Sequence, residues 1–407
     1  MKQRFTKFDL TLLFGNALEH FDSALYGFLV PLLAPLFFPN HDAFVQLIFG
    51  YSILGTSLIT RPLGAYIFGT LVRKRGVLSS LTLSFWGISF STLALGLLPT
   101  YDAWGAAAPI GLVLLRMVRG VFGAGEIAIA KLYIMEGKDA AGSFRASYAY
   151  PASSMAGTLM ASCGATASAF MASDGWSWRL WFIVGGLTGL VGNMMRRYAR
   201  KSVPTTKFSD YQRGFLQLLW IFKKAALRVA LTTGLSHLTA VLPFLIFNSL
   251  IPLVTNIPFE KMMAFNTALL VFDLIFIPMA GRFLAAYDPR KVLIFSGVVL
   301  ALSFPLLLMP MDHHTSLTYV TFVRFWIVFW GVVFLCPQHV YYKGLFDDTS
   351  NAKYLVVGLG NALGAATIGK LSPGLMTWFF QQTGSFLVLG IYASVIAGIT
   401  LFFLCKR

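Results

Sequence analysis

A chain of 407 residues that is 57% hydrophobic and only 12% charged holds about half the roughly 25% charged residues of a soluble globular protein. That balance excludes an ordinary water-soluble enzyme or binding module and makes lipid the expected solvent. The net charge of +16 suggests a polyanion partner until the charges are placed along the chain.

Residues 1–9 are basic and run into an apolar stretch without a small-residue cleavage site, so they read as the start of a retained first helix. Stretches long enough to cross roughly 30 Å of hydrocarbon fall at 10–36, 44–70, 78–98, 107–130, 146–171 and 179–195. After a polar, basic linker at 196–228 they resume at 229–255, 263–284, 291–310, 316–340, 354–380 and 385–404. The expected fold is therefore an all-α integral membrane protein of about twelve transmembrane helices in two pseudo-symmetric six-helix bundles, 1–195 and 229–407.

With the amino terminus placed inside, nearly every basic loop residue falls on the same side. These include Arg73, Lys74 and Arg75, then Lys131, Lys138 and Arg145, the linker from Arg196 to Arg228, and Arg290 and Lys291. The opposite side keeps only Arg179 and Lys261. Basic loops stay in the cytoplasm, so both termini are predicted to be cytoplasmic, in a plasma membrane of the bacterial inner-membrane kind. The positive charge is then a topology signal, and no nucleic-acid partner is expected.

Removing the loop charges leaves Glu19, Asp22, Arg61, Arg116, Arg119, Glu126, Asp273, Arg324 and Lys370 inside predicted spans. Each costs at least about 2.5–3.5 kcal/mol at a helix centre, so these positions are functional candidates. In the first span Asn16, Glu19, Asp22 and Tyr26 recur at three- and four-residue steps and share one face. Two carboxylates one turn apart are a place for a proton to bind and leave, and a structural ion pair with an arginine of another helix is the competing reading. His20 lies off that face and reads as a packing residue. In the fourth span Arg116, Arg119, Gly123 and Glu126 share a face, where a guanidinium could grip a carboxylate of helix one or of a substrate. Candidate substrate contacts are Arg116, Arg119, Lys370, Asn361, Tyr26 and Arg324, and candidate proton carriers are Glu19, Asp22, Glu126 and Asp273.

Several chemistries are not supported. GAATIGKL at 364–371 departs from a phosphate-binding loop, because Leu371 follows the lysine and the segment lies in an apolar span. Cys163, Cys336 and Cys405 sit in or beside apolar runs and form neither a disulfide framework nor a metal pattern. No cofactor or metal is expected, and no nucleophile–base pair marks an enzyme.

Five stretches in order resemble the major facilitator superfamily, and within it the metabolite:proton symporter group. They are GNALEHFDSALYGFLVPLLAPLFFP (15–39), RPLGAYIFG (61–69), RMVRGVFGAGE (116–126), WSWRLWF (176–182) and VVGLGNALGAATIGKLSP (356–373). In the first, His20 and Phe21 replace the group's usual Trp-Tyr pair. The resemblance implies alternating access by a monomer. The loop aspartates that latch the two halves in that group are replaced here by Arg73 and Ala285. Arg119 and Lys370 are charges the group usually lacks. The expected function is proton-coupled import of a small carboxylate-bearing metabolite, with a di- or polycarboxylate favoured. The alternatives are a zwitterionic osmolyte (proline or betaine) symporter, and an exporter or antiporter of a small organic molecule or siderophore.

Overall fold

Lipid offers the backbone no hydrogen-bond partners, so a spanning segment must close its bonds within itself. The computed structural model describes residues 7–133, 140–171, 176–199, 220–345 and 352–406, and among them helices form without any strand. The helices are α1 (Lys7–Phe37), α2 (Ala43–Gly55), α3 (Ser57–Arg75), α4 (Val77–Gly96), the short α5 (Tyr101–Trp104), α6 (Ala107–Tyr133), α7 (Ala140–Phe170) and α8 (Ser177–Ala199). They continue with α9 (Lys223–Val241), α10 (Phe247–Val254), α11 (Phe259–Leu284), α12 (Pro289–Leu308) and α13 (Leu317–Leu335). The chain ends with α14 (Gln338–Lys343), α15 (Ala352–Gly364), α16 (Ser372–Thr383) and α17 (Phe386–Cys405).

Each span expected from hydropathy falls on helix. Among the described residues, eight helical stretches are long and apolar enough by themselves to cross a bilayer. Helix geometry is interrupted at four places inside spans: a turn at Thr56 between α2 and α3, a turn at Cys336 and Pro337 between α13 and α14, and π-helical turns at Leu242–Ile246 and Ala365–Lys370. Pro243 opens the first π turn, where a missing N–H displaces the regular ladder. Apolar side chains such as Phe90, Leu306 and Ile399 stand exposed on the helices, as surfaces wetted by acyl chains should.

The chain divides into two units, one comprising Met1–Leu29 with Thr56–Leu218 and the other Val30–Gly55 with Leu219–Arg407. Both follow one internal pairing scheme. In the first, α1 meets α7, α3 packs on α6 and α4 packs on α8. In the second, α9 packs on α15, α11 on α13 and α12 on α17. Counted as spans, these are the first with the fifth, the second with the fourth and the third with the sixth, in each half.

Small residues set the close approaches, since interhelical contact in lipid depends on tight packing rather than on hydrophobic transfer. A Cβ at Gly157 of α7 would collide with the carbonyl of Ala17 on α1, and one at Gly364 of α15 with the carbonyl of Ala230 on α9. Gly157→Val is therefore expected to force α1 and α7 apart at an overpacking cost of about 1–3 kcal/mol. Thermal unfolding of the purified protein in detergent would read this as a lower Tm. An unchanged Tm would mean that the two helices do not meet there.

Candidate functional site

In the first unit the polar face of α1 meets the polar face of α6. Glu19, Asp22, Arg116 and Arg119 are all buried, none more than 7% exposed. Arg119 is the centre. Its Nε donates to Asp22 Oδ2 in a short hydrogen bond, and its Nη2 lies 3.1 Å from Glu19 Oε1. The same Nη2 donates to the Glu19 backbone carbonyl at 2.7 Å. One guanidinium thus ties together two carboxylates on successive turns of α1, using the planar fork that lysine lacks.

Asp22 has two further contacts. Thr92 of α4 donates to its Oδ1 at 2.6 Å, and Arg116 Nη1 stands 3.8 Å from its Oδ2. That second ion pair is loose: Arg116 Nη1 is buried and makes no hydrogen bond among the described residues. The Arg116 guanidinium instead lies over the Tyr26 ring, 4.2 Å from its centroid, a cation–π contact. Gly123 on α6 leaves the approach open, since a Cβ there would stand 3.5 Å from Glu19 Oε1. Arg61 of α3, half-buried, adds a third positive charge within electrostatic reach of Glu19 and Arg119.

Asn16, one turn below Glu19, faces α7 rather than the arginines. Its amide donates to the Tyr150 carbonyl at 3.1 Å, to Ser153 Oγ at 2.7 Å and to Ser154 Oγ at 2.8 Å. The second unit repeats this arrangement. Thr233 of α9 donates through its hydroxyl to Asn361 Oδ1 on α15, within a buried set that includes Tyr342, Thr232 and Gln338. His20 Nδ1 lies 2.9 Å from the Asn16 carbonyl and His237 Nδ1 lies 2.9 Å from the Thr233 carbonyl. The correspondence Asn16–Thr233 and His20–His237 places Ser236 where the first unit has Glu19.

The structure therefore brings five of the sequence candidates into one cluster: Glu19, Asp22, Tyr26, Arg116 and Arg119. Arg324, 2% exposed, donates to Asn266 Oδ1 at 2.6 Å and to the Met262 carbonyl at 3.4 Å. Asp273 is 3% exposed, and its Oδ1 makes no hydrogen bond among the described residues. Among those residues, no hydrogen bond or ion pair joins Asp273, Arg324 and Asn361 to one another. Lys370 ends the second π turn and is half-buried. Glu126 lies on α6, but its side chain is outside the described residues.

Sequence periodicity missed three members of the cluster. Thr92 is an ordinary hydroxyl in an apolar helix, with no local signal. Arg61 reads from the sequence as an intramembrane charge with no evident pairing. His20 reads as a packing residue, yet its Nδ1 lies 3.1 Å from Glu19 Oε2. It stands 100° around the helix from its neighbour, and a ring of that length still reaches sideways.

Two helical units with a shared pairing scheme and buried charges match a known class, the major facilitator fold. The structure superposes on that of a D-xylose-proton symporter with a TM-score of 0.75 and 14% identity, covering 98% of this chain and 97% of the other. It matches the xylose transporter XylE from E. coli, in a partially occluded inward open conformation, with a TM-score of 0.71, 13% identity and coverage of 98% and 97%. No protein-family model matches the chain.

Sequence relatives narrow the class. A Staphylococcus aureus (strain COL) protein named for proline/betaine transport is 26% identical over 404 residues, 94% of this chain and 84% of its own. The proline/betaine transporter of Escherichia coli K12 is 31% identical over 195 residues, 47% of this chain and 39% of the relative. A glycine betaine/proline/ectoine/pipecolic acid transporter of Dickeya dadantii, OusA, is 34% identical over 198 residues, 47% and 38% of the two chains. The resemblance carried by the five motifs is borne out. The chain is a multi-pass membrane transporter of the major facilitator fold, not an enzyme.

Proposed function

We propose that the chain is a proton-coupled symporter that imports a small carboxylate-bearing zwitterion of the proline or betaine kind, with Arg116 as the carboxylate contact. The observation that carries this reading is the uneven use of the two arginines. Arg119 is committed to Glu19, Asp22 and a carbonyl, whereas Arg116 has a 3.8 Å ion pair, a stacking contact with Tyr26 and a buried Nη1 without a hydrogen bond among the described residues. One available guanidinium suits one carboxylate better than two or three, and the names of the sequence relatives favour the same substrate class.

The coupling follows from charge. The two buried arginines and two buried carboxylates balance, and Arg61 adds a partly solvated positive charge that draws an anion in. A substrate carboxylate on Arg116 would lie close to Asp22. Two like charges about 4 Å apart repel by roughly 4 kcal/mol at an effective dielectric constant of 20, which a proton on one of the α1 carboxylates removes. Substrate and proton thus favour each other's binding, as linkage requires. Glu19 and Asp22 are the carriers in this reading, and the bias of basic residues supports an inner-membrane location with both termini in the cytoplasm.

Uptake of labelled proline, betaine and a di- and tricarboxylate panel into proteoliposomes, with and without an inward proton gradient, tests this. Gradient-driven accumulation of a zwitterion is the expected result. Arg116→Ala should raise its KM by about 10–100-fold, the value of one or two charge-assisted hydrogen bonds at roughly 1.5–3 kcal/mol. Accumulation of a tricarboxylate alone, or an unaltered KM, would overturn the assignment.

A further inference from the structure

His20 stands beside the buried Glu19 and is far more open: 33% of its side chain is exposed, against 1% of Glu19. Its face of α1 is lined by small and polar residues rather than large apolar ones. Ala17, Ser23 and Ala24, its neighbours at helical spacing, are small or polar and half-buried, whereas lipid-facing positions such as Leu83 and Phe90 on α4 are large, apolar and exposed. The Nδ1 atom lies 3.1 Å from Glu19 Oε2 and 2.9 Å from the Asn16 carbonyl. Both are acceptors, so Nδ1 carries the hydrogen.

We propose that His20 is the group through which protons reach the Glu19–Arg119–Asp22 cluster. This rests on the symport reading given above. A proton from water binds Nε2, and the ring becomes an imidazolium. The Nδ1 proton then passes to Glu19 Oε2, leaving a neutral imidazole protonated on Nε2 and a neutral carboxyl. Glu19 so neutralised no longer holds Arg119 by charge, and Arg119 remains on Asp22. Among the described residues, the charged groups around the relay are Glu19 and Asp22 from α1, Arg116 and Arg119 from α6 and Arg61 from α3. From α7 the nearby polar groups are the hydroxyls of Ser153 and Ser154 and the titratable Tyr150.

The second unit supplies a control. His237 makes the same backbone contact to Thr233, but Ser236 stands where the first unit has Glu19, so no carboxylate follows it. A tether common to both histidines explains the ring's placement. Of the two histidines, His20 has an acid at the preceding position and His237 has Ser236.

The test compares proton-driven uptake with substrate counterflow, which exchanges labelled for unlabelled solute with no net proton movement, in wild type, His20→Gln and His237→Gln. The expected result for His20→Gln is gradient-driven uptake slowed at least tenfold, counterflow near the wild-type rate, and partial recovery of uptake on adding imidazole. His237→Gln should keep the wild-type pH profile of uptake. Equal loss of uptake and counterflow in His20→Gln, an unaltered uptake rate, or the same defect in His237→Gln would each overturn the relay. Wild-type uptake indifferent to the gradient would overturn the symport reading and the relay together, whereas gradient-driven wild-type uptake with a silent His20→Gln removes only the relay.

Discussion

Replacing Arg119 by alanine is expected to destabilise the protein by about 3–5 kcal/mol, the cost of removing one partner from a buried ion pair, and to abolish uptake. The substitution leaves Glu19 and Asp22, 1% and 3% exposed, without the guanidinium that joins them. Arg119→Lys should recover only part of the loss, because a single ammonium cannot reach both carboxylates and the Glu19 carbonyl as a planar fork does. The informative companion is the triple variant Arg119→Met, Glu19→Gln, Asp22→Asn. Removing all three charges together avoids stranding any of them, so its Tm should return close to that of the wild type while transport stays absent. A low Tm in the triple variant would mean that the cluster's hydrogen bonds, rather than its charge balance, support the fold. Melting in detergent and uptake in proteoliposomes supply the two readouts.

Asp22→Asn is expected to separate binding from driving. The amide keeps the size of the side chain and can still accept from Thr92, but it cannot take up a proton. A gradient of about two pH units stores about 2.8 kcal/mol, enough for roughly 100-fold accumulation with one proton per solute. In Asp22→Asn that accumulation should fall to about the level reached without a gradient, while counterflow continues. The asparagine also releases Arg116 from its 3.8 Å ion pair, so substrate affinity should hold or rise. Retained accumulation in Asp22→Asn would move the coupling proton to Glu19 or out of the cluster. Loss of counterflow as well would make Asp22 a scaffold for the arginines.

In the second unit the positions equivalent to Asn16 and Glu19 keep polar contacts without a charge. Thr233 and Asn361 replace Asn16 and the α7 serines with another hydrogen-bonded pair across equivalent helices. The position of Glu19 is taken by Ser236, which accepts a short hydrogen bond from Gln338. The buried polar contact is kept, and the charge is not.

The sequence alone determined the helices and their order. Lipid accepts only segments that are apolar over about twenty residues and closed in their own hydrogen bonds, so hydropathy located all the spans to within a few residues. Helical periodicity also put Glu19 and Asp22 on one face and Arg116 and Arg119 on another. Only the tertiary structure decided which groups meet. Arg119 reaches across 97 residues to Asp22, and Thr92 reaches across 70. Those distances depend on how far each helix is rotated and how closely small residues let the axes approach, as Gly157 does against Ala17. His20 belongs to the same category. Its spacing placed it off the acidic face, and the contact with Glu19 comes from a rotamer stabilised by the Asn16 carbonyl, which no pattern of residue types encodes.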